Sequence, residues 1–346
     1  MTDRILVTGS AGMLGETLVR RLAADGHEVH GLDLRPTTDS PGVTRHFAGD
    51  VRDNSLMVKA VTGVDAVVHC AAALPSYPDE QIKSVIVDGT RNVLESAYRA
   101  DVPRVVHISS TAVYGLPKLV PTPESHPRRP VDVYSTAKAS AEEVAEAFRD
   151  RGQSLTVLRP KTFLGPGRLG LFAMLFEWAD EARNFPVLGR GDVRIQMLDI
   201  EDLTDAVVLA LRGPGDRVSD TFNIGAERFG TLREDFQAVL DAAGHGKRVV
   251  SLPARPALMA LRGLERARLS PVYGRLLHKL LADSYVSVER ARERLGFRPR
   301  RSNQDAILRT FAWWREAREA NQAGGSGATS KDAWRQGALA LTKAFF

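Results

Sequence analysis

Three features of this sequence predict an α/β fold, a doubly wound parallel sheet with a smaller, interleaved C-terminal substrate-binding lobe. Short Val/Ile/Leu-rich runs alternate with longer amphipathic stretches, the rhythm of parallel strands joined by helices. The first apolar run feeds a glycine-rich turn, Gly9-Ser10-Ala11-Gly12-Met13-Leu14-Gly15. Past Pro160 the rhythm loosens, with Gly165-Pro166-Gly167 opening a region whose helices are rich in Leu, Arg and Ala.

In chain order, the apolar runs Arg4 to Thr8, Glu28 to Leu32, Val64 to His69, Arg104 to Ser109 and Leu155 to Leu158 read as strands. Helix formers with apolar residues three and four apart mark helices at Leu14 to Ala24, Lys83 to Ala100 and Tyr134 to Arg149. Phe222-Asn223-Ile224-Gly225 reads as a further short strand that returns the chain to the main sheet. There is no internal repeat. The expected division is a dinucleotide-binding domain over 1–165, a mainly substrate-binding lobe with segments returning to the sheet over 166–320, and a linker and tail over 321–346. Trp334, Ala338, Leu341 and Phe345 in the tail would share a helical face. That face could dock on a partner or membrane, but packing on its own body or disorder is the plainer expectation.

The glycine turn lies between a buried strand and a helix, which is the position of a phosphate-binding turn in a Rossmann-type sheet. Gly9 permits the tight turn, Gly12 lets backbone approach a pyrophosphate, and Gly15 lets helix pack on strand, with Met13 and Leu14 opening the helix whose positive end faces the phosphates. The spacing is GxxGxxG, looser than GxGxxG. The acidic residue expected about 20 residues further on is Asp33, whose carboxylate accepts ribose hydroxyls and repels a 2′-phosphate. NAD is therefore favoured over NADP, although Arg35 two positions on could accommodate that phosphate. Asp50, beside Val51, follows the next strand and is a candidate partner for the adenine amine. The alternative is a helix N-cap near Asp53.

Tyr134 and Lys138 are four residues apart at the start of a helix, so phenol and ammonium share a face and the charge can favour phenolate over a phenol of ordinary pKa near 10. The strand before them ends in Ser109-Ser110-Thr111, hydroxyls at the same sheet edge as the glycine turn. One of these could polarise a substrate oxygen while Tyr134 moves its proton; turn chemistry alone is the competing reading.

Composition narrows the partners. A chain of 346 residues allows two domains. No apolar run approaches the roughly 20 residues that span a bilayer, and the chain starts on a strand, so a soluble cytoplasmic protein is expected. Cys70 is the sole cysteine, which rules out an intrachain disulfide and leaves no multi-cysteine metal site; no metal is expected. Its apolar setting, Val67-Val68-His69-Cys70-Ala71-Ala72, suits a small core residue better than a nucleophile. The net charge of +5 is spread over scattered arginines without a Lys-rich block, so a phosphorylated small molecule is a better anion than nucleic acid.

These residues together resemble the extended short-chain dehydrogenases/reductases, specifically the NAD-dependent epimerase/dehydratase group of nucleotide-sugar enzymes. The resemblance covers roughly residues 4 to 318. It is carried by the glycine turn, Asp33, His69-Cys70-Ala71-Ala72-Ala73, Ser109-Ser110-Thr111-Ala112-Val113-Tyr114-Gly115, the Tyr134/Lys138 pair, Leu158-Arg159-Pro160 with Gly165-Pro166, and Phe222-Asn223-Ile224-Gly225. It implies that Ser110 is the catalytic hydroxyl, Tyr134 the acid/base, and Lys138 the group holding phenolate and nicotinamide ribose. It further implies that Ala71 and Ala72 line the cofactor groove and that helices 83–100 and 134–149 pair in a homodimer.

Departures from the family pattern steer the choice of reaction. The family's dehydratases and decarboxylases usually carry an acid two residues after the catalytic hydroxyl, where this chain has Ala112. Ile86 stands where relatives carry Asn in an Asn-Val-x-Gly-Thr segment. Thr162 replaces the substrate-contacting Asn before Gly-Pro but keeps a hydroxyl, and Arg194 matches the nucleotide-gripping arginine only with a one-residue offset, so an ordinary exposed arginine is as good a reading. The resulting expectation is an NAD-dependent epimerase of a nucleotide sugar, working by transient oxidation to a keto intermediate. The alternatives are an NAD(P)-dependent dehydrogenase or reductase of a secondary alcohol or ketone, sugar or steroid-like, and a non-catalytic NAD(P)-sensing regulator.

Overall fold

The run Arg4–Thr8 forms β1, an almost wholly buried strand, and every later parallel strand of the main sheet is aligned against it directly or through a neighbour. The computed structural model describes residues 3–35, 42–167, 172–254, 256, 259 and 281–320. They fall into two units: those within Met1–Lys161, Ile200–Gly225 and Val286–Pro299, and those within Thr162–Asp199, Ala226–Tyr285 and Arg300–Phe346. The linker and tail read over 321–346 lie outside the described residues, as do any contacts of Trp334, Ala338, Leu341 and Phe345.

In the first unit β1 is followed by α1 (Met13–Ala24), β2 (Glu28–Asp33), β3 (Val43–Ala48), α2 (Asn54–Val61), β4 (Ala66–His69), α3 (Asp79–Lys83), α4 (Gly89–Arg99), β5 (Arg104–Ile108), α5 (Val133–Asp150) and β6 (Leu155–Pro160), and the unit is completed by α7 (Ile200–Arg212), α8 (Gly215–Val218) and β10 (Thr221–Ile224). Its seven strands are all parallel, in the order β10-β6-β5-β4-β1-β2-β3. The order reverses between β1 and β4, which opens a crevice at the carboxyl ends of those strands, the ligand position in sheets of this type. Leu6, Val67, Val105, Leu155 and Val157 from the strands and Met57, Val93, Leu94, Val144 and Phe148 from the helices make one apolar core. The strand at Phe222 returns to the main sheet as expected, pairing with β6 from Thr221↔Val157 to Ile224↔Pro160.

Two expectations need correction. The helix read over Lys83 to Ala100 starts earlier and is not uniform: α3 ends at Lys83, a π turn spans Ser84–Asp88, and α4 follows from Gly89 without a break. Ile82 before the turn and Ile86 within it both pack in one cluster with Ala137 and Ala141 of α5. The strand read from Val64 starts at Ala66, because the Val64 N–H turns back to the Val61 carbonyl at the end of α2.

The second unit holds two parallel strand pairs, β7 (Thr162–Leu164) with β9 (Met197–Asp199) and β8 (Phe185–Leu188) with β11 (Val249–Leu252). Around them lie α6 (Phe172–Asp180), α9 (Leu232–Ala243) and α10 (Asn303–Ala320). Its core is aromatic, with Phe176, Trp178, Phe185, Phe236, Phe311 and Trp314 in one cluster. Asn303 ties it together, accepting the Met197 N–H at 2.8 Å and donating to Asp235 at 2.8 Å and to the Ile195 carbonyl at 2.7 Å. No helix among the described residues is long and apolar enough to cross a membrane.

Gly9 has φ +70°, and a Cβ there would meet the Ala71 amide at 2.8 Å; a Cβ at Gly15 would meet the Gly9 carbonyl at 2.1 Å. Helix, turn and β4 thus touch backbone to backbone. Gly15→Ala is expected to lose about 1–3 kcal/mol of stability through overpacking, measured by denaturant unfolding; an unchanged midpoint would show that the turn yields freely.

Candidate active site

The crevice between β1 and β4 is built from main chain and small side chains. The glycine turn places Gly12 at the N-cap of α1, with only the Gly9 carbonyl, at 3.1 Å, within 4 Å of where a Cβ would stand. The first-turn amides of α1, starting at the buried Met13 and Leu14, have no acceptor inside the helix and carry the positive end of its dipole. Across from them, Ala71 is half-buried and Ala72 exposed at the end of β4. The cradle suits a diphosphate in that its donors are main-chain amides and a Cβ at Gly12 is the side chain it lacks.

Asp33 ends β2 beside the turn, accepting the Ala11 N–H through Oδ2 and the Arg35 N–H through Oδ1, both at 3.0 Å. The Arg35 guanidinium folds back, with Nη2 donating to the Ala11 carbonyl at 2.5 Å and Nε 3.6 Å from Asp33. Asp50 lies in the connection after β3 and is gripped by Arg52, whose guanidinium and amide donate to it at 2.6–3.0 Å and hold its carboxyl below the usual range. The N-cap of α2 is Asp53, which accepts the Leu56 N–H at 3.1 Å; Asp50 does not cap that helix. Val51 is buried, and its carbonyl accepts the Asn92 amide at 2.7 Å.

The other side of the crevice is the end of β5 and the start of α5. Asp132 and Ser135 form a reciprocal capping box that fixes the first turn of α5, in which Tyr134 sits. Tyr134 is partly buried and packs on an apolar cluster containing Ala73, Ile82, Ile86 and Ala137, with Tyr77 at its edge. One turn later Lys138 is 3% exposed and donates through Nζ to the Ile108 carbonyl at 2.8 Å. Burial lowers its pKa to about 8, against the opposing pull of the Glu142 carboxylate. Ser110, two residues past that carbonyl, caps the short 3-10 turn Thr111–Tyr114, with Oγ accepting the Ala112 N–H at 3.1 Å. The Thr111 hydroxyl donates to the Pro160 carbonyl at 3.3 Å. Ser110 and the Lys138 ammonium therefore share one strand end, and Tyr134 lies one turn before Lys138 on the same helix.

Behind them two imidazoles stack, His69 on β4 and His107 on β5, 5.3 Å between centroids. The Thr90 hydroxyl donates to the Ile86 carbonyl at 2.6 Å, so it accepts from His69 Nε2 at 3.1 Å, which leaves Nδ1 to accept from Thr8 at 2.7 Å. Burial, reinforced by the Lys138 charge, lowers His69 to about 3; burial, His69 and Lys138 push His107 well below its ordinary value. Both rings are neutral at physiological pH. Cys70 is likewise neutral, its thiol raised to about 12 by burial.

Thr162 and Arg194 belong to the second unit. Thr162 is an exposed residue of β7, paired with Met197. Arg194 is exposed, with its guanidinium 4.8 Å from the Phe229 ring and 5.6 Å from the Tyr285 ring, and donates to the Phe229 carbonyl at 3.2 Å.

Sequence reasoning passed over a buried polar network under Ser110. Glu142 accepts from Ser109, Arg159 and Arg128, while Arg159 also donates to the Tyr114 hydroxyl at 2.7 Å. The signal available was a glutamate four residues after Lys138 on an otherwise apolar helix face, with an arginine inside the apolar strand Leu155–Pro160.

The sequence model of the NAD dependent epimerase/dehydratase family matches residues 5–225, most of the chain. The chain belongs to that family. It is 30% identical over 337 residues to the UDP-glucose 4-epimerase of Mycolicibacterium smegmatis, covering 90% of this chain and 98% of that one. It is 28% identical to the 3 beta-hydroxysteroid dehydrogenase/Delta 5-->4-isomerase of Mycobacterium tuberculosis, covering 90% of each. Among solved structures, the UDP-glucose 4-epimerase of Thermotoga maritima, crystallised with UDP-glucose, superposes with a TM-score of 0.74 at 23% identity, over 91% of this chain and 99% of that one. Epimerases, dehydratases and dehydrogenases share this family and fold.

Lys138 gives the site a pH signature. The folded amine titrates near 8 and the unfolded one near 10.5, so between those values the unfolded chain binds more protons and stability rises with pH. Below about 8 the full cost of the buried ammonium is present. The melting temperature of the native protein should therefore climb relative to that of Lys138→Met between pH 8 and 10.5 by calorimetry. A constant difference would place the amine in water.

Proposed function

We propose that this chain is an NAD-dependent epimerase of a nucleotide sugar, carried by one observation: Lys138, one helical turn after Tyr134, binds the strand-end carbonyl two residues before Ser110, with Ala112 where an acid would serve elimination. NAD, when bound, supplies the hydride acceptor and donor. Gly9, Gly12, Met13, Leu14 and Gly15 would hold its diphosphate, Asp33 a ribose, Asp50 and Val51 the adenine end, and Ala71, Ala72, Tyr134 and Lys138 the nicotinamide half. Tyr134 takes the proton of the substrate hydroxyl at its phenolic oxygen, helped by the Lys138 charge, and returns it after the sugar presents its other face. Ser110 donates a hydrogen bond to the substrate oxygen as its charge changes, with Thr111 beside it. Thr162 and Arg194 are the candidate contacts to the sugar and its phosphates, the guanidinium braced by Phe229 and Tyr285. Asp33 and the folded-back Arg35 favour NAD over NADP, since the carboxylate repels a 2′-phosphate and the guanidinium is already engaged.

A second reading, a dehydrogenase of a secondary alcohol with net cofactor turnover, is favoured by the steroid-dehydrogenase relative and by the apolar cluster at Tyr134, where Ile86 replaces a polar residue. We further propose a cytoplasmic homodimer assembled through α4 and α5; a monomer in sedimentation at micromolar concentration would refute the dimer.

The two reactions separate at 340 nm. Epimerisation of UDP-glucose converts substrate with no lasting absorbance change, whereas stoichiometric NADH formation would exclude it. Tyr134→Phe should lower kcat by about 10²–10⁴-fold while NAD still raises the melting temperature; an unchanged rate would remove Tyr134 from the chemistry. NAD should protect against melting at lower concentration than NADP, and Asp33→Asn should narrow that gap.

A further inference from the structure

The buried polar network under the active site converges on a short segment of chain. Glu142 is 1% exposed, accepts the Ser109 hydroxyl at 2.5 Å, and is held by Arg159 through Nε at 2.9 Å and Nη2 at 2.5 Å. Arg159, 4% exposed, also reaches the Tyr114 hydroxyl at 2.7 Å, and Tyr114 donates to Asn223 at 2.8 Å. One guanidinium thus secures both ends of the segment 109–114, Ser109 through Glu142 and Tyr114 directly. Within that segment lies Ser110, and immediately before it lies the Ile108 carbonyl that accepts from Lys138. Glu142 is itself one helical turn beyond Lys138, so a single carboxylate ties the helix bearing Tyr134 and Lys138 to the strand end bearing Ser110.

We propose that Glu142 is a positioning residue: clamped by Arg159, it fixes through the Ser109 hydroxyl the strand end that presents Ile108 to Lys138 and Ser110 to substrate. The proposal deepens the enzymatic reading above and rests on it for its consequence in turnover, but not for its consequence in local order. A buried ion pair is a poor source of net stability, since well-packed apolar residues often replace one at no loss. A fully satisfied buried network does specify one geometry among close alternatives. Cys70, His69 and His107, the other titratable groups that act on or lie against Lys138, are neutral, and among the described residues none hydrogen-bonds to the 109–114 segment. Glu142 is the carboxylate that does.

Glu142→Gln leaves the Arg159 guanidinium buried opposite a neutral amide and risks the fold, so the test uses Ser109→Ala. That change deletes one hydroxyl and leaves Glu142 accepting from Arg159. Hydrogen exchange of the amides between 110 and 115, Ala112 above all, should accelerate at least tenfold relative to the native protein, with exchange in α1 unchanged. If the chain turns over substrate as proposed, kcat falls by tenfold or more while KM stays within threefold. Unaltered exchange over 110–115 overturns the positioning role whatever the rate. An accelerated segment in a protein that acts on neither nucleotide sugars nor secondary alcohols upholds that role and sinks the function instead.

Discussion

Burying the Lys138 ammonium is the constraint that organises the unit built on the seven-stranded sheet. Removing an ammonium from water costs several kcal/mol even after relaxation, and this one is 3% exposed. The compensation shown is one strand-end carbonyl at 2.8 Å and the carboxylate of Glu142 one turn on. Each depends on something larger. The carbonyl of Ile108 is free for a side chain because β5 ends there, in a sheet whose carboxyl ends all open the same way. The lysine reaches it because the Asp132–Ser135 box sets where α5 begins. The neighbouring imidazoles must be neutral, and burial ensures it.

The outline of the fold was legible because its signals are local. Short apolar runs gave β1, β2, β5 and β6, and the return of the chain through Phe222 to Ile224 followed from a similar run. What escaped was either polar in sequence or irregular in backbone. Strand β3, at the sheet edge, exposes Thr44 and Arg45, so its composition reads as loop; only its register with β2 makes it a strand. Helix α2 is 8 residues long and is announced mainly by its cap, Asp53. The π turn before α4 has no compositional mark.

The site divides the same way. Glycines, Asp33, Tyr134 and Lys138 stand at spacings that suggest a site, and the family resemblance is what gives each a role. Glu142 and Arg159 do not: seventeen positions apart, on a helix and on the next strand, each looks like an ordinary surface charge until the sheet places one over the other. Asp33 shows a subtler limit. Its position after β2 is readable, but the backing of its carboxylate by the Ala11 and Arg35 amides depends on the exact path of the glycine turn.

Charge counting joins these parts. In the cluster behind the crevice, Arg159 and Glu142 cancel, and Arg128 is met by Glu146 at 2.8 Å nearer the surface. His69, His107 and Cys70 are uncharged. Lys138 is then left as a net positive charge in a region of low effective dielectric, where an anion forming close by is stabilised far more than in water. The candidate anion is the phenolate of Tyr134, one turn away on the same helix. The Glu142 carboxylate favours the ammonium, and its pairing with Arg159 offsets part of that pull while the two hold the 109–114 segment in place.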